Sequence, residues 1–195
     1  MEHASLWTGI GGQGVQLAAE VVARAAVLEG RHVLLFGVYA GAMRGMNTDA
    51  TVVIADEPVT SPPIVSRASW AVALHDRYWG PVAAKLTGDA CALVHDETFA
   101  APVPAGVTCL RVPAARLARE VGAELTASMV MAGAFGARSG LVGLDALTAA
   151  MHEALPPYRR VHAPTNAAAL EAGYRWAAAG VAADLPRGLP HGIRP

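Results

Sequence analysis

The sequence predicts an α/β fold with a mainly parallel sheet and a helical C-terminal third. Three observations carry that expectation. The chain opens on an apolar strand, Ser5 to Gly9, that runs into a turn with glycines at 9, 11, 12 and 14 and then into an alanine- and valine-rich helix. Short apolar runs then alternate with helical or loop segments as far as Val112, the pattern that βα units leave in a sequence. Beyond Pro113 the apolar residues recur at helical spacing.

Taken in order, the first helix carries Val15, Ala18, Ala19, Val22, Ala25 and Ala26 at helical spacing and stops at Gly30. His32 to Val38 is a continuous apolar run, as expected of a strand covered on both faces, and it completes a βαβ unit. After a loop from Tyr39 to Asn47, the segment Asp49 to Ala55 reads as a strand, ended by Asp56-Glu57-Pro58. Pro58, Pro62 and Pro63 mark an extended connector. Trp70 to Leu74 and Cys91 to Val94 are further strands, separated by a helix expected over Arg77 to Leu86 that closes at Gly88. Val107 to Val112 is the last strand, and the helices beyond it are Ala114 to Val121, Ala127 to Ser139, Leu144 to Leu155 and Asn166 to Ala179. Gly140 and Gly143 punctuate two of these, and Asp145 suits the first turn of the helix that follows. Pro186 to Pro195 holds three prolines and two glycines, which reads as a disordered tail or one draped over a partner.

With 195 residues and 53% apolar composition, one domain with a single core is expected. A net charge of −1 with scattered Lys and Arg leaves no basic footprint for nucleic acid. Mean hydropathy is high at +0.34. Gly, Pro or charge nevertheless interrupts every apolar run short of the roughly 20 residues a membrane span needs. The N-terminus lacks the basic and apolar segments of a secretory leader, so a cytoplasmic location is expected. The apolar surplus points to surface buried against another subunit. The two cysteines, Cys91 and Cys109, fall in expected strands and read as buried thiols. They cannot by themselves hold an iron–sulfur cluster, which takes about four thiolates.

The spacing Gly9-x-Gly11-x-x-Gly14 has the form of a dinucleotide fingerprint, which aims backbone N–H groups at a phosphate or at another protein's backbone. A dinucleotide site also needs an acid at the end of the second strand. Here that strand ends Phe36-Gly37-Val38-Tyr39, and the nearest acid, Glu29, precedes it. An NADP site would want an arginine there, and Arg44 comes a few residues late. Ligands in open α/β sheets sit beyond the carboxyl ends of the strands, which places the Tyr39–Asn47 loop on one rim with the glycine turn. Arg44 in that loop suits an anion or carboxylate, or pairs with a neighbouring acid such as Asp49. The seven histidines never approach one another at metal-ligand spacing, so no metal site is expected. His75-Asp76 and His95-Asp96 each follow a strand and belong on the rim, more readily as structural residues than as acid–base pairs. No Gly-x-Ser-x-Gly elbow occurs and neither cysteine has an activating context, so no catalytic residue is assigned.

Two separated signals align with one family. Gly9-Ile10-Gly11-Gly12-Gln13-Gly14, then Tyr39 with Met43-Arg44-Gly45, then Val52-Val53-Ile54 with Asp56-Glu57-Pro58 and Ser61-Pro62, resemble the gamma subunits of 2-oxoacid:ferredoxin oxidoreductases. Met129-Val130 with Gly133-Ala134, Gly140-Leu141-Val142 before Leu144, and Asn166 with Ala169-Leu170-Glu171-Ala172-Gly173-Tyr174 extend the resemblance, which covers roughly residues 5 to 176. It departs from the family's usual Tyr-Gly-Pro-Glu before an Arg-Gly-Gly at Ala40, Ala42 and Met46, and the Asn often found before the Met-Val pair is Ser128.

The resemblance implies a single gamma-type, Rossmann-like three-layer domain over residues 1–185, with a tail over 186–195. It implies a place in a multi-subunit, thiamine diphosphate-dependent enzyme that oxidatively decarboxylates a 2-oxoacid, usually to an acyl-coenzyme A. Electrons pass to ferredoxin or NAD through other subunits. The implied partners are thiamine-binding alpha and beta subunits and a ferredoxin-like subunit. Thiamine diphosphate with Mg, iron–sulfur clusters and coenzyme A belong to the assembly, and this chain alone holds none of them. Gly9, Gly11, Gly12, Gln13 and Gly14 are implied as a backbone platform facing a partner subunit or a coenzyme A phosphate, with Tyr39, Arg44 and Gly45 as the adjoining loop. Two other readings stand beside this one: a stand-alone protein binding NAD(P) or FAD, and a purely structural adaptor in the same complex.

Overall fold

The computed structural model describes residues 1–39, 45–60 and 64–181. The sequence-stretch readings at Ala40, Ala42, Met43, Arg44, Ser61 to Pro63 and Pro186 to Pro195 lie outside the described residues.

Six strands form one sheet: β1 (Glu2–Ile10), β2 (His32–Tyr39), β3 (Asn47–Ala55), β4 (Ala68–Ala73), β5 (Leu86–His95) and β6 (Thr108–Val112), in the order β2-β3-β1-β4-β5-β6. β1, β4, β5 and β6 are mutually parallel, while β3 runs antiparallel to both β1 and β2. The sheet is therefore mainly parallel, as expected. The helices are α1 (Val15–Leu28), α2 (Trp79–Ala83), α3 (Ala114–Glu120), α4 (Ala127–Ser139), α5 (Leu144–Ala154) and α6 (Ala163–Val181), with a 3-10 segment over Pro157–His162.

One sheet face carries the main core. Trp7, Val52, Ile54, Val72 and Leu93 point into it and meet α1, α4, α5 and α6. Phe135 of α4 takes the edges of Trp7 and Trp70 at ring-centroid distances of 5.3 and 5.7 Å. The Trp7 indole N–H is satisfied by the Ser5 hydroxyl at 3.0 Å, which in turn donates to the Val52 carbonyl. The other face is thinner. Leu6, Ala71, Ala92 and Val94 meet Trp79 and Val82 of α2 and Phe99 of the following loop.

α4 and α6 touch backbone to backbone. A Cβ added to Gly133 would overlap the Leu170 carbonyl, and one added to Gly173 would overlap the Val130 carbonyl. Only glycine fits either position, which gives a physical reason for two residues of the family-like C-terminal pattern.

Two expectations need correcting. β2 does not complete a βαβ unit beside β1, because β3 inserts between them and pairs with β2 from His32↔Ala55 to Tyr39↔Thr48. The strand buried through the second half of its length is β3, with Val52, Val53, Ile54 and Ala55 all inside. β2 is left at the sheet edge with Leu35, Phe36 and Val38 exposed at 42%, 43% and 46%. Phe36 and Val38 border a groove of about 180 Å³ with Leu6 and Ile64. The helix expected over Arg77–Leu86 shrinks to α2, because Leu86 already pairs with Ala68 and Gly88 lies within β5. A smaller difference is the last helix, which starts earlier than Asn166 because the 3-10 segment runs straight into it.

Cys91 is buried, but Cys109 is exposed on the edge strand β6. Both are free thiols. Cys91 contributes to the main core, as does Leu110 in part, so side-chain alternation turns Cys109 to the opposite face. Burial raises both thiol pKa values, and the Arg138 guanidinium opposes that shift at Cys91.

Candidate functional site

The glycine turn joins the carboxyl end of β1 to α1, where the Gln13 side chain knots it. Its Oε1 accepts the Ile10 N–H at 2.9 Å and its Nε2 donates to the Leu74 carbonyl at 3.2 Å. Both ends of the amide are thus spent on the fold. Gly14 then takes a left-handed conformation, φ 80°, a region glycine enters without a Cβ penalty, and starts α1 with no side-chain cap. The first-turn N–H groups of such a helix have no intrahelical acceptor and carry its positive dipole end.

The adjoining loop meets the turn directly. The Gly11 N–H donates to the Met46 carbonyl at 2.8 Å, and the Gly45 N–H to the Gly11 carbonyl at 3.4 Å. The Tyr78 hydroxyl reaches the Gly45 carbonyl at 3.4 Å. Gly9, Gly11, Gly12, Gln13, Gly14 and Gly45 therefore come together on one rim. Tyr39 closes β2, its backbone opposite Thr48. Asp49, the acid offered as a mate for Arg44, already accepts the Thr8 hydroxyl at 2.7 Å and the Asn47 amide at 2.8 Å.

Behind the turn opens a cleft of about 630 Å³, walled by Gly12 and Gly14 on one side and by Thr126, Ser128, Arg159 and Asn166 on the other. α4 also starts here, at Thr126, without a side-chain cap. Two helix N-termini thus open onto one space. Ser128 and Asn166 line it at 4% and 6% exposure, and their side chains have no hydrogen-bond partner among the described residues. Their polar atoms open to the cleft and not to the core, so they are free to bond water or a ligand there. With Arg159 and His162 at the cleft wall, the donor set suits a phosphate.

Sequence reasoning had no access to this cleft, because its walls lie far apart in the chain. Ser128 and Asn166 had surfaced only as parts of a family-like pattern. Arg159, His162 and Thr126 carried no signal at all.

The two His-Asp pairs sit on the rim and shape it. The His75 Nδ1 accepts the Arg77 N–H at 3.1 Å, and the His95 Nδ1 accepts the Glu97 N–H at 3.3 Å. The Asp76 carboxylate accepts the Ala100 N–H at 2.9 Å, which holds its pKa below the ordinary value. His95 is 5% exposed, and burial pushes its pKa down. Among the described residues no three His, Cys, Asp or Glu side chains are grouped so as to hold a metal ion. No described helix is long and apolar enough to cross a membrane.

Comparison with known proteins agrees with this architecture. Residues 4–176 match the family described as pyruvate ferredoxin/flavodoxin oxidoreductase. The chain is 33% identical over 184 residues to the ketoisovalerate oxidoreductase subunit VorA of Methanothermobacter thermautotrophicus, covering 91% of this chain and 37% of that one. It thus spans little more than a third of that relative's length. It is 32% identical to the 2-oxoglutarate synthase subunit KorC of Methanothermobacter marburgensis, over 76% of this chain and 84% of that one. Among solved structures, the gamma subunit of a keto/oxoacid ferredoxin oxidoreductase from Geobacter sulfurreducens superposes with a TM-score of 0.76 at 24% identity, covering 91% of this chain and 99% of that one. The 2-oxoglutarate:ferredoxin oxidoreductase of Magnetococcus marinus, determined with 2-oxoglutarate, coenzyme A and succinyl-CoA bound, superposes with a TM-score of 0.79 at 17% identity, over 91% of this chain and 31% of that one. The chain belongs to the pyruvate ferredoxin/flavodoxin oxidoreductase family, and its fold is that of gamma subunits of 2-oxoacid:ferredoxin oxidoreductases.

Proposed function

We propose that this chain is the gamma subunit of a cytoplasmic, thiamine diphosphate-dependent 2-oxoacid:acceptor oxidoreductase and has no activity alone. Its partners are thiamine-binding alpha and beta subunits and a ferredoxin-like subunit that passes electrons to ferredoxin or NAD. Thiamine diphosphate, held by the partners, supplies the decarboxylation chemistry. The exposed apolar side chains Leu35, Phe36 and Val38 on the β2 edge support a chain that works inside an assembly. Two thiols on opposite sheet faces do not fit an iron–sulfur cluster, so the clusters belong to another subunit.

Within that enzyme the chain's own residues receive the phosphate end of coenzyme A. The observation that carries this is the cleft between the starts of α1 and α4, with the unpartnered Ser128 hydroxyl and Asn166 amide facing it beside Gly12 and Gly14. The two helix ends offer backbone N–H donors, Ser128 and Asn166 add neutral donors, and Arg159 adds charge. By the same resemblance Tyr39, Arg44 and Gly45 are assigned to the adjoining loop near the shared active site.

The test is native mass spectrometry of the assembly captured through this chain, with thiamine and iron assays and a coenzyme A titration of the same material. Partners carrying thiamine diphosphate and iron, and saturable coenzyme A binding, are expected. A chain isolated alone, with neither cofactor and no coenzyme A binding, would refute the reading.

A further inference from the structure

We infer that Thr98, in the loop after β5, is a positioning residue for the glycine turn. This rests on the coenzyme A reading above and names a residue that controls the same site without touching the ligand. The Thr98 hydroxyl donates to the Leu74 carbonyl at 2.6 Å, and the Gln13 amide donates to that same carbonyl at 3.2 Å. Gln13 passes the constraint on, because its Oε1 takes the Ile10 N–H at 2.9 Å at the entrance to the turn. The Leu74 N–H is fixed as well, donating to the Thr8 carbonyl at 2.9 Å.

Leu74 is therefore held through both its backbone N–H and its carbonyl, and that carbonyl has two acceptor positions. Thr98 takes one through a short hydroxyl bond, which orients the other toward Gln13. A second tie, from the Ala100 N–H to the Asp76 carboxylate at 2.9 Å, holds the Thr98 loop against the end of β4. The path runs from the β5 loop across β4 to the turn that starts α1. Gln13, for its part, acts as a brace within the fold, since both ends of its amide are engaged.

The experiment uses the assembled enzyme. Thr98→Val keeps the shape and removes the hydroxyl. The expected result is a three- to tenfold rise in the coenzyme A concentration for half-saturation, with kcat within twofold and recovery in Thr98→Ser. Gln13→Leu shifts coenzyme A the same way, and the double variant Thr98→Val, Gln13→Leu is no worse than Gln13→Leu alone, because both act through one carbonyl. Thr98→Val with wild-type half-saturation, or an additive double variant, overturns the inference. If the wild-type assembly does not bind coenzyme A, the functional reading fails. The positioning role is then read from hydrogen exchange at the Ile10 to Gly14 amides: faster exchange in Thr98→Val supports it, and unchanged exchange overturns it.

Discussion

The Glu29 carboxylate, just past the end of α1, accepts the Gly143 N–H at 2.8 Å and so caps α5 from 114 residues away. Along the sequence Glu29 is the nearest acid before the end of β2, where a dinucleotide site would need one for a ribose hydroxyl. In the fold it lies near the start of that strand, and Asp49 stands opposite Val38 at its end. Glu29 is instead committed to a helix start, where a negative charge also meets the favourable end of the α5 dipole. Glu29→Ala is expected to cost about 1 kcal/mol, the usual scale of a lost helix cap. For a chain of this size that is a fall in Tm of about 2–4 °C. Thermal unfolding followed by circular dichroism checks it, and an unchanged Tm would mean the cap contributes nothing.

Ser128 carries a prediction with two parts. In the unliganded chain its hydroxyl bonds nothing within the fold and opens to the cleft, so Ser128→Ala should leave stability unchanged to within about 0.5 kcal/mol. In the assembly the same variant should weaken coenzyme A by about tenfold, the scale of one hydrogen bond to a charged group. Urea unfolding of the chain and coenzyme A titration of the complex read the two effects separately. A variant that loses stability without losing affinity would make Ser128 a packing residue.

How far the chain could be read without its structure depended on whether an element's fate is local. α4 was legible to its end residues, because Ala127 to Ser139 is bounded by a turn and by Gly140, left-handed at φ 65°. The meeting of the glycine turn with Gly45 was legible from the rule that places ligand loops at the carboxyl ends of strands. The place of β2 was not, since an apolar run looks the same whether a strand is covered on both faces or left at an edge for another subunit. Nor was the cleft, because Ser128 and Asn166 become neighbours only when α4 and α6 pack.

That packing sets the third prediction. Gly133→Ala drives a methyl into the Leu170 carbonyl, backbone that no rotamer change can move aside. The cost should reach about 3 kcal/mol or more, the upper end for overpacked sites. Gly136→Ala is the comparison: its methyl would meet the flexible end of Leu147 at 2.7 Å and the Val142 carbonyl at 3.0 Å, so the loss should be smaller. Denaturant midpoints rank the two, and equal losses would mean that α4 and α6 can separate at little cost.

The last prediction concerns pH. His95 is buried at the end of β5, with its Nδ1 accepting a backbone N–H, so the folded chain prefers it neutral and its pKa falls below the ordinary 6.5. Asp96 and Glu97 oppose that shift, while His75 on the neighbouring strand end adds to it. As pH drops through 6.5, the unfolded chain takes up a proton that the folded chain declines. Stability must therefore fall with pH from about 6.5 down to the folded-state value and level off below it. His3, also lowered mainly by burial, acts with the same sign at the far end of the sheet. His95→Asn keeps an acceptor for the Glu97 N–H but cannot be protonated, so it should flatten part of the slope and His3→Asn another part. Urea midpoints of the three proteins between pH 5 and 8 decide it. A His95→Asn curve parallel to the wild type would mean that the folded chain accommodates the charged imidazole as easily as water does.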